Sequence, residues 1–104
     1  KEIVDIINKN IENDKLSAEF IATQMNMGVR KLYRQVEEIK GIGISSLIRE
    51  CRLVVACDLL IKSRLTIDEV VFKSGFSNRV SFYKAFAKKY NCTPKEYRDR
   101  NSIG

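Results

Sequence analysis

The sequence predicts an all-α fold, and three observations predict it. Apolar residues recur at helical spacing along nearly the whole chain, helix-starting residues stand where those runs begin, and the chain repeats its own pattern once. No stretch reads as a strand of convincing length, and no segment is of low complexity. Seven helices account for the pattern.

The first helix is expected over about residues 2–13, where Ile3, Val4, Ile6, Ile7 and Ile11 trace one face. Ser17 can cap a second helix, about 18–25, with Phe20, Ile21 and Ala22 turned inward. After the break "NMG" comes a third, about 29–40. It is expected to bury Val29, Leu32, Val36 and Ile39 and to show Arg30, Lys31, Arg34 and Gln35 outward; "GIG" at 41–43 ends it. A long helix, about 44–62, is apolar over a wide arc through Leu47, Ile48, Leu53, Ala56, Leu59 and Leu60, so partners are expected on more than one side. "TIDE" at 66–69 has the form of a capping box and opens a short helix to about Lys73. "GFSN" is a turn, and Ser77 or Asn78 starts a helix that runs to about Tyr90. "TPKE" at 93–96 is a second capping box, with the only proline at the first helical position. It begins a terminal helix that includes Tyr97.

A chain of 104 residues is one domain, or a compact pair of subdomains, with a modest core. It begins at Lys1 without a methionine, so a piece of a longer protein is expected. No apolar run approaches the roughly 20 residues of a membrane span, and no signal peptide is expected; no membrane contact is expected of this domain, and a cytoplasmic location is. Cys51, Cys57 and Cys92 are odd in number and lack CxxC spacing, which fits buried or idle thiols. The absence of histidine removes zinc-finger patterns, Ser–His and Cys–His nucleophile pairs and the commonest general base. There is no Gly-rich phosphate loop. No catalytic residue, metal ligand or cofactor is expected, and the chain does not read as an enzyme.

The net charge of +6 is unevenly placed. Residues 1–72 hold 11 basic and 11 acidic side chains, whereas residues 73–104 hold 8 basic and 2 acidic. Such asymmetry points to a polyanionic partner; a merely solvated basic face is the plainer alternative.

The repeat sharpens the choice. "LSAEFIATQ" from Leu16 pairs with "LTIDEVVFK" from Leu65 at an offset of 49; one extra residue in the second turn moves the offset to 50. Leu32 then pairs with Phe82, Arg34 with Lys84, Val36 with Phe86, Gly41 with Asn91 and Leu47 with Tyr97. Each copy reads short helix, tight turn, longer helix, with buried positions four apart and a basic residue on the far side. That is a helix-turn-helix pattern, in which a first helix braces a second one that enters the major groove. The expected organisation is a first unit with its N-terminal helix at 1–42, a linker helix at 43–63 and a second unit at 64–104. A linker of this length spans about 28 Å, against the roughly 34 Å between successive major grooves on one face of DNA.

"TIDEVVFKSGFSNRVSFYKAFAKKYNCTPKEYR" resembles the second half of the AraC/XylS family's DNA-binding domain. The family's pattern runs Ile–Ala, Gly–Phe, Phe-x-x-x-Phe, then Thr/Ser-Pro-x-x-Tyr-Arg. "MGVRKLYRQVEEIKG" and "RLVVACDLL" resemble its first reading helix and its linker, so the likeness covers about residues 15–100. The "LYR" of the first reading helix resembles the output domains of hybrid two-component regulators. The resemblance implies a seven-helix, homeodomain-like domain, sequence-specific binding of double-stranded DNA in adjacent major grooves, and transcription regulation. It further implies RNA polymerase as a partner and a missing N-terminal portion that senses signal and dimerises. A hybrid sensor would anchor the full-length protein at a membrane. The chain departs from the family at Gly28, where a capping serine is usual, at Glu37, Glu38 and Ala87, where basic residues are frequent, and at Asn91, where glycine is usual.

On this resemblance Arg30, Lys31 and Arg34 match base-reading positions of the first unit, and Arg79, Ser81, Tyr83 and Lys84 those of the second. Arg34 can donate twice to guanine N7 and O6, worth about 1–3 kcal/mol of discrimination; its alternative is an i,i+4 pair with Glu38. Val80 lies against a thymine methyl or against protein. Ser77, Asn78 and Lys88 are phosphate candidates, and Lys89 adds diffuse attraction or is simply solvated. Phe76, Phe82, Phe86 and Tyr97 are spaced as core, not as base-stacking platforms, and Tyr33 adjoins the edge. The rival readings are a helical protein-interaction module and a non-specific nucleic-acid packager.

Overall fold

A computed structural model describes residues 2–101. Its seven helices are α1 (Glu2–Lys9), α2 (Ala18–Gln24), α3 (Val29–Lys40), α4 (Ile44–Lys62), α5 (Ile67–Lys73), α6 (Arg79–Tyr90) and α7 (Pro94–Asn101), and there is no strand among the described residues. No helix among them is long and apolar enough to cross a membrane. The chain divides into two compact units, and the division falls inside α4, between Cys51 and Arg52.

The first unit packs α1 and α3 on α2. Its core joins Ile7, Ile21, Leu32 and Val36 to Ile44, Leu47 and Ile48 from the first half of α4. Two features differ from the periodic reading. The first helix stops at Lys9 instead of about residue 13. Asn10 ends it: its side-chain Nδ2 donates to the Ile6 carbonyl at 2.8 Å, and its amide is shared between the Ile6 and Ile7 carbonyls at 3.2 and 3.1 Å. Asparagine competes with the helix through such local bonds, and Ile11 still packs on the core from the turn that follows. The second difference is Ile39, which is 74% exposed. Residues 37–41 are all exposed, so the last turn of α3 runs past the core it was expected to cover. Phe20 and Val29 are half-buried at its margin.

The second unit packs α5 and α7 on α6. Leu53, Ala56, Cys57 and Leu60 from the second half of α4 share its core with Val70, Val71 and three phenylalanines. Phe82 meets Phe76 edge-on at 5.2 Å between ring centres, and Phe86 meets Tyr97 edge-on at 5.5 Å. Such pairs add about 0.5–1.5 kcal/mol each beyond the area they bury. Phe76, Phe82 and Phe86 are therefore structural, and Tyr97 is half-buried beside them. The neighbouring Cys57 thiol, with burial, raises the Tyr97 phenol above its ordinary value.

Both capping boxes form. Thr66 Oγ1 accepts from the Glu69 amide at 3.1 Å while Glu69 Oε1 accepts from the Thr66 amide at 2.8 Å. Thr93 and Glu96 do the same at 3.1 and 2.9 Å, with buried Pro94 at the first helical position. The end of α4 is closed by side chains: Ser63 Oγ donates to the Leu59 carbonyl at 2.6 Å, and Arg98 Nε reaches from α7 to the Leu60 carbonyl at 2.8 Å. These satisfy acceptors that any helix leaves open at its C-terminus. Cys51, Cys57 and Cys92 are free thiols. Burial, then the neighbouring Glu50 carboxylate, raises the Cys51 thiol, which makes it a poor nucleophile.

Candidate nucleic-acid interface

Each unit contains one bihelical motif, and the two are built alike. Ser17 caps α2 by accepting from the Phe20 amide at 3.1 Å, as Thr66 caps α5. Past the first helix the chain reverses at a residue of positive φ, Asn26 at 56° in one unit and Gly75 at 100° in the other. Asparagine and glycine tolerate that conformation better than other residues. The next amide closes the turn by donating five residues back: Met27 to Ala22 at 2.9 Å, and Phe76 to Val71 at 3.1 Å. To this point the two motifs are offset by 49; Ser77 is the one inserted residue, and from Gly28 and Asn78 onward the offset is 50.

The second helices, α3 and α6, have 12 residues each. Leu32 and Val36 in one, and Phe82 and Phe86 in the other, are fully buried. Both helices end on a left-handed residue, Gly41 with φ 73° and Asn91 with φ 58°. Their starts differ. Asn78 Oδ1 accepts from the Ser81 amide at 2.8 Å, whereas Gly28 offers α3 no side-chain cap. Asn78 is thus the N-cap, and its Nδ2 donors remain for an outside acceptor.

Every expected DNA-facing side chain is exposed: Arg30, Lys31 and Arg34 on α3, Arg79, Val80, Ser81, Tyr83, Lys84 and Lys88 on α6, and Ser77 and Asn78 just before it. Arg30 and Arg34 are one turn apart, away from the Leu32–Val36 face. Val80, Lys84 and Lys88 follow one another at i,i+4 along α6. Val80 is 65% exposed, so it does not pack into its own unit's core. No ion pair joins Arg34 to Glu38 among the described residues. Tyr33 is exposed at the edge of α3.

Arg79 is engaged within the protein. Its Nε lies 3.0 Å from Asp68 Oδ1 on α5, and its guanidinium carbon stands 5.8 Å from the centre of the Tyr83 ring. The Tyr83 hydroxyl and the Asp68 carboxylate both hold this guanidinium above its ordinary value, so it stays charged. Sequence reasoning missed this partner. It also missed Arg98 on the Leu60 carbonyl and the fully buried Ser74, whose Oγ donates to the Val70 carbonyl at 2.7 Å. Only Ser74 had a local signal, a hydroxyl one turn from a carbonyl at a helix end. For Asp68 the available hint was an acid in the first turn of α5 and a cation opening the next helix.

Comparison with known proteins agrees with this geometry. A family model described as a helix-turn-helix domain matches residues 21–100. The xylose operon regulatory protein of Escherichia coli K12 is 39% identical over 71 residues, which is 68% of this chain and 18% of that protein. Histidine kinase P4 of Formosa agariphila is 26% identical over 102 residues, 98% of this chain and 7% of the kinase. The chain thus spans less than a fifth of either curated relative's length. A crystal structure of a transcriptional regulator from Chromobacterium violaceum, with an AraC-type DNA-binding domain, superimposes with a TM-score of 0.91 at 29% identity, over 98% of this chain and 90% of that one. The family consists of DNA-binding domains, not enzymes. The chain belongs to it: it is an AraC-type helix-turn-helix domain, a DNA-binding domain of transcription regulators.

Proposed function

We propose that the chain reads double-stranded DNA sequence-specifically, with α3 and α6 entering adjacent major grooves. One observation carries the reading. Arg34 and Lys84, and Lys31 and Ser81, are open to solvent on the side away from the buried residues of their helices, at positions related by the same offset of 50. A 19-residue linker helix free of glycine and proline supports the groove assignment, since it is about 28 Å long. Arg30, Lys31 and Arg34 read bases from α3; Arg79, Val80, Ser81, Tyr83 and Lys84 read them from α6; Ser77, Asn78 and Lys88 bind phosphate. Val80, open and apolar, suits a thymine methyl.

The signal that controls binding and any dimerisation belong to the rest of a longer protein, and RNA polymerase is the partner through which a bound regulator acts. The match to nearly the whole chain within a histidine kinase favours an output domain of a two-component system acting in the cytoplasm.

Site selection from random duplex, followed by gel-shift competition, tests the reading. A preference of about 10³ or more over random duplex is expected. Weak preference would indicate a packager, and absent binding an interaction module. Arg34→Ala should flatten preference at one base position; equal losses on selected and random duplexes would remove Arg34 from the base readers.

A further inference from the structure

Three side chains of the second unit meet at the start of α6. Arg79 Nε is 3.0 Å from Asp68 Oδ1, and the guanidinium stands 5.8 Å from the Tyr83 ring centre. Asp68 lies in the first turn of α5, so the contact bridges the bracing helix and the reading helix. The first unit has no such pair. Glu19 occupies the place of Asp68, but Val29 stands where Arg79 would be.

Stability is a weak reason for this pair. Its side chains are 59% and 57% exposed, and ion pairs so open to water add little to a fold. Near DNA the carboxylate is also a disadvantage, because it repels phosphates. What it supplies is direction. Arginine has a planar fork of five donors. A carboxylate that takes Nε leaves the fork's terminal donors for an acceptor pair such as guanine N7 and O6. The Tyr83 ring restrains the same group from a second side. An arginine held this way loses less freedom on binding, and it is kept from swinging to the nearest phosphate.

We infer that Asp68 is a specificity-determining positioning residue, which holds Arg79 so that it addresses one base position. The inference rests on the reading of α6 as a base-reading helix. Asp68 touches no DNA; it acts through Arg79.

The test measures binding of the 104-residue chain to its selected duplex and to random duplex, for the wild type, Asp68→Asn, Asp68→Glu, Arg79→Ala and the double variant Asp68→Asn/Arg79→Ala. Asp68→Asn removes a negative charge, so binding to random duplex should hold or tighten. Preference for the selected duplex should fall about fivefold or more, the lower end of what a bidentate arginine–guanine contact provides. The loss should fall on the base position that Arg79→Ala flattens, and Asp68→Asn should cause no further loss of preference once Arg79 is gone. Asp68→Glu, which keeps the charge and the helix-start carboxylate, should recover part of the preference. Thermal melts of each variant separate these effects from unfolding. Equal changes on both duplexes, or a loss of preference that persists without Arg79, would overturn the inference while leaving α6 a reading helix. A wild type that does not distinguish the duplexes overturns the reading of α6 and this inference with it.

Discussion

The two glycines that flank α3 should respond to a side chain in opposite directions. At both Gly28 and Gly41 an added Cβ would meet no atom within 4 Å, so space limits neither substitution. The backbone separates them. Gly28 is extended, with φ −73° and ψ 148°, while Gly41 is left-handed, with φ 73° and ψ 9°. A left-handed conformation costs an L-residue about 1–2 kcal/mol, and the stiffer unfolded chain returns about 0.4–1 kcal/mol. Gly41→Ala should therefore destabilise, by up to about 1.5 kcal/mol. Gly28→Ser keeps the unfolded-state gain and adds a hydroxyl for the open amides of the first turn, worth a few tenths more; it should stabilise by about 0.6–1.3 kcal/mol. Gly41→Asn should cost less than Gly41→Ala, because Asn91 already holds that conformation in the other unit. Thermal and urea unfolding followed by far-UV circular dichroism resolve these differences, at roughly 4–8 °C per kcal/mol for a domain of this size. The reasoning fails if Gly41→Ala and Gly41→Asn are equally stable, or if Gly28→Ser destabilises.

From the excess positive charge of residues 73–104, the second unit is expected to supply most salt-dependent affinity. Lys88→Ala, at a phosphate position, should lower the slope of log affinity against log salt by about 1, with similar losses on selected and random duplexes. Arg98→Met should destabilise the second unit by about 1.5–3 kcal/mol, the range for a hydrogen bond from a charged donor, because the Leu60 carbonyl loses its partner; urea unfolding would show it, and an unchanged midpoint would refute it. The Thr93 amide bonds the Glu96 carboxylate and lowers it below its ordinary 4.5. A carboxyl lowered on folding stabilises above its unfolded value, and that contribution is lost as pH falls from 4.5 through the folded value. Melts across this range should show a steeper acid loss for the wild type than for Glu96→Gln; parallel curves would count against the box.

Much of the fold was legible because its signals are local. Ser17, Thr66 and Thr93 announce helix starts through side chains that bond amides three residues on. The bounds of α3 and α4 follow from apolar spacing closed by Gly41. Periodicity failed where packing ceased to follow the helix. Ile11 reaches the core from a turn, and Ile39 keeps the helical phase of Leu32 and Val36 with no core beside it. The exposure of Arg30, Lys31, Arg34, Val80, Ser81, Lys84 and Lys88 was legible for the same local reason, since each lies out of phase with the buried residues of its own helix; Arg79 keeps the phase of Phe82 and Phe86 and is exposed only because it opens α6. Contacts between distant residues were not legible. Arg98 meets a carbonyl 38 positions away, and Asp68, read only as part of a helix start, meets a cation of the following helix. Nothing in a one-dimensional pattern marks which acid and which base will face each other after folding.

Helix α4 lends its first half to one core and its second half to the other. A cut at Cys51 would leave the downstream piece with a helix beginning at Arg52, uncapped and with four amides unanswered. The upstream piece would keep a stub too short to hold itself helical away from its packing. Chimaeras that exchange one reading head between relatives should therefore be joined in phase within this shared helix, with the junction's helical register preserved, and not trimmed at the loops on either side.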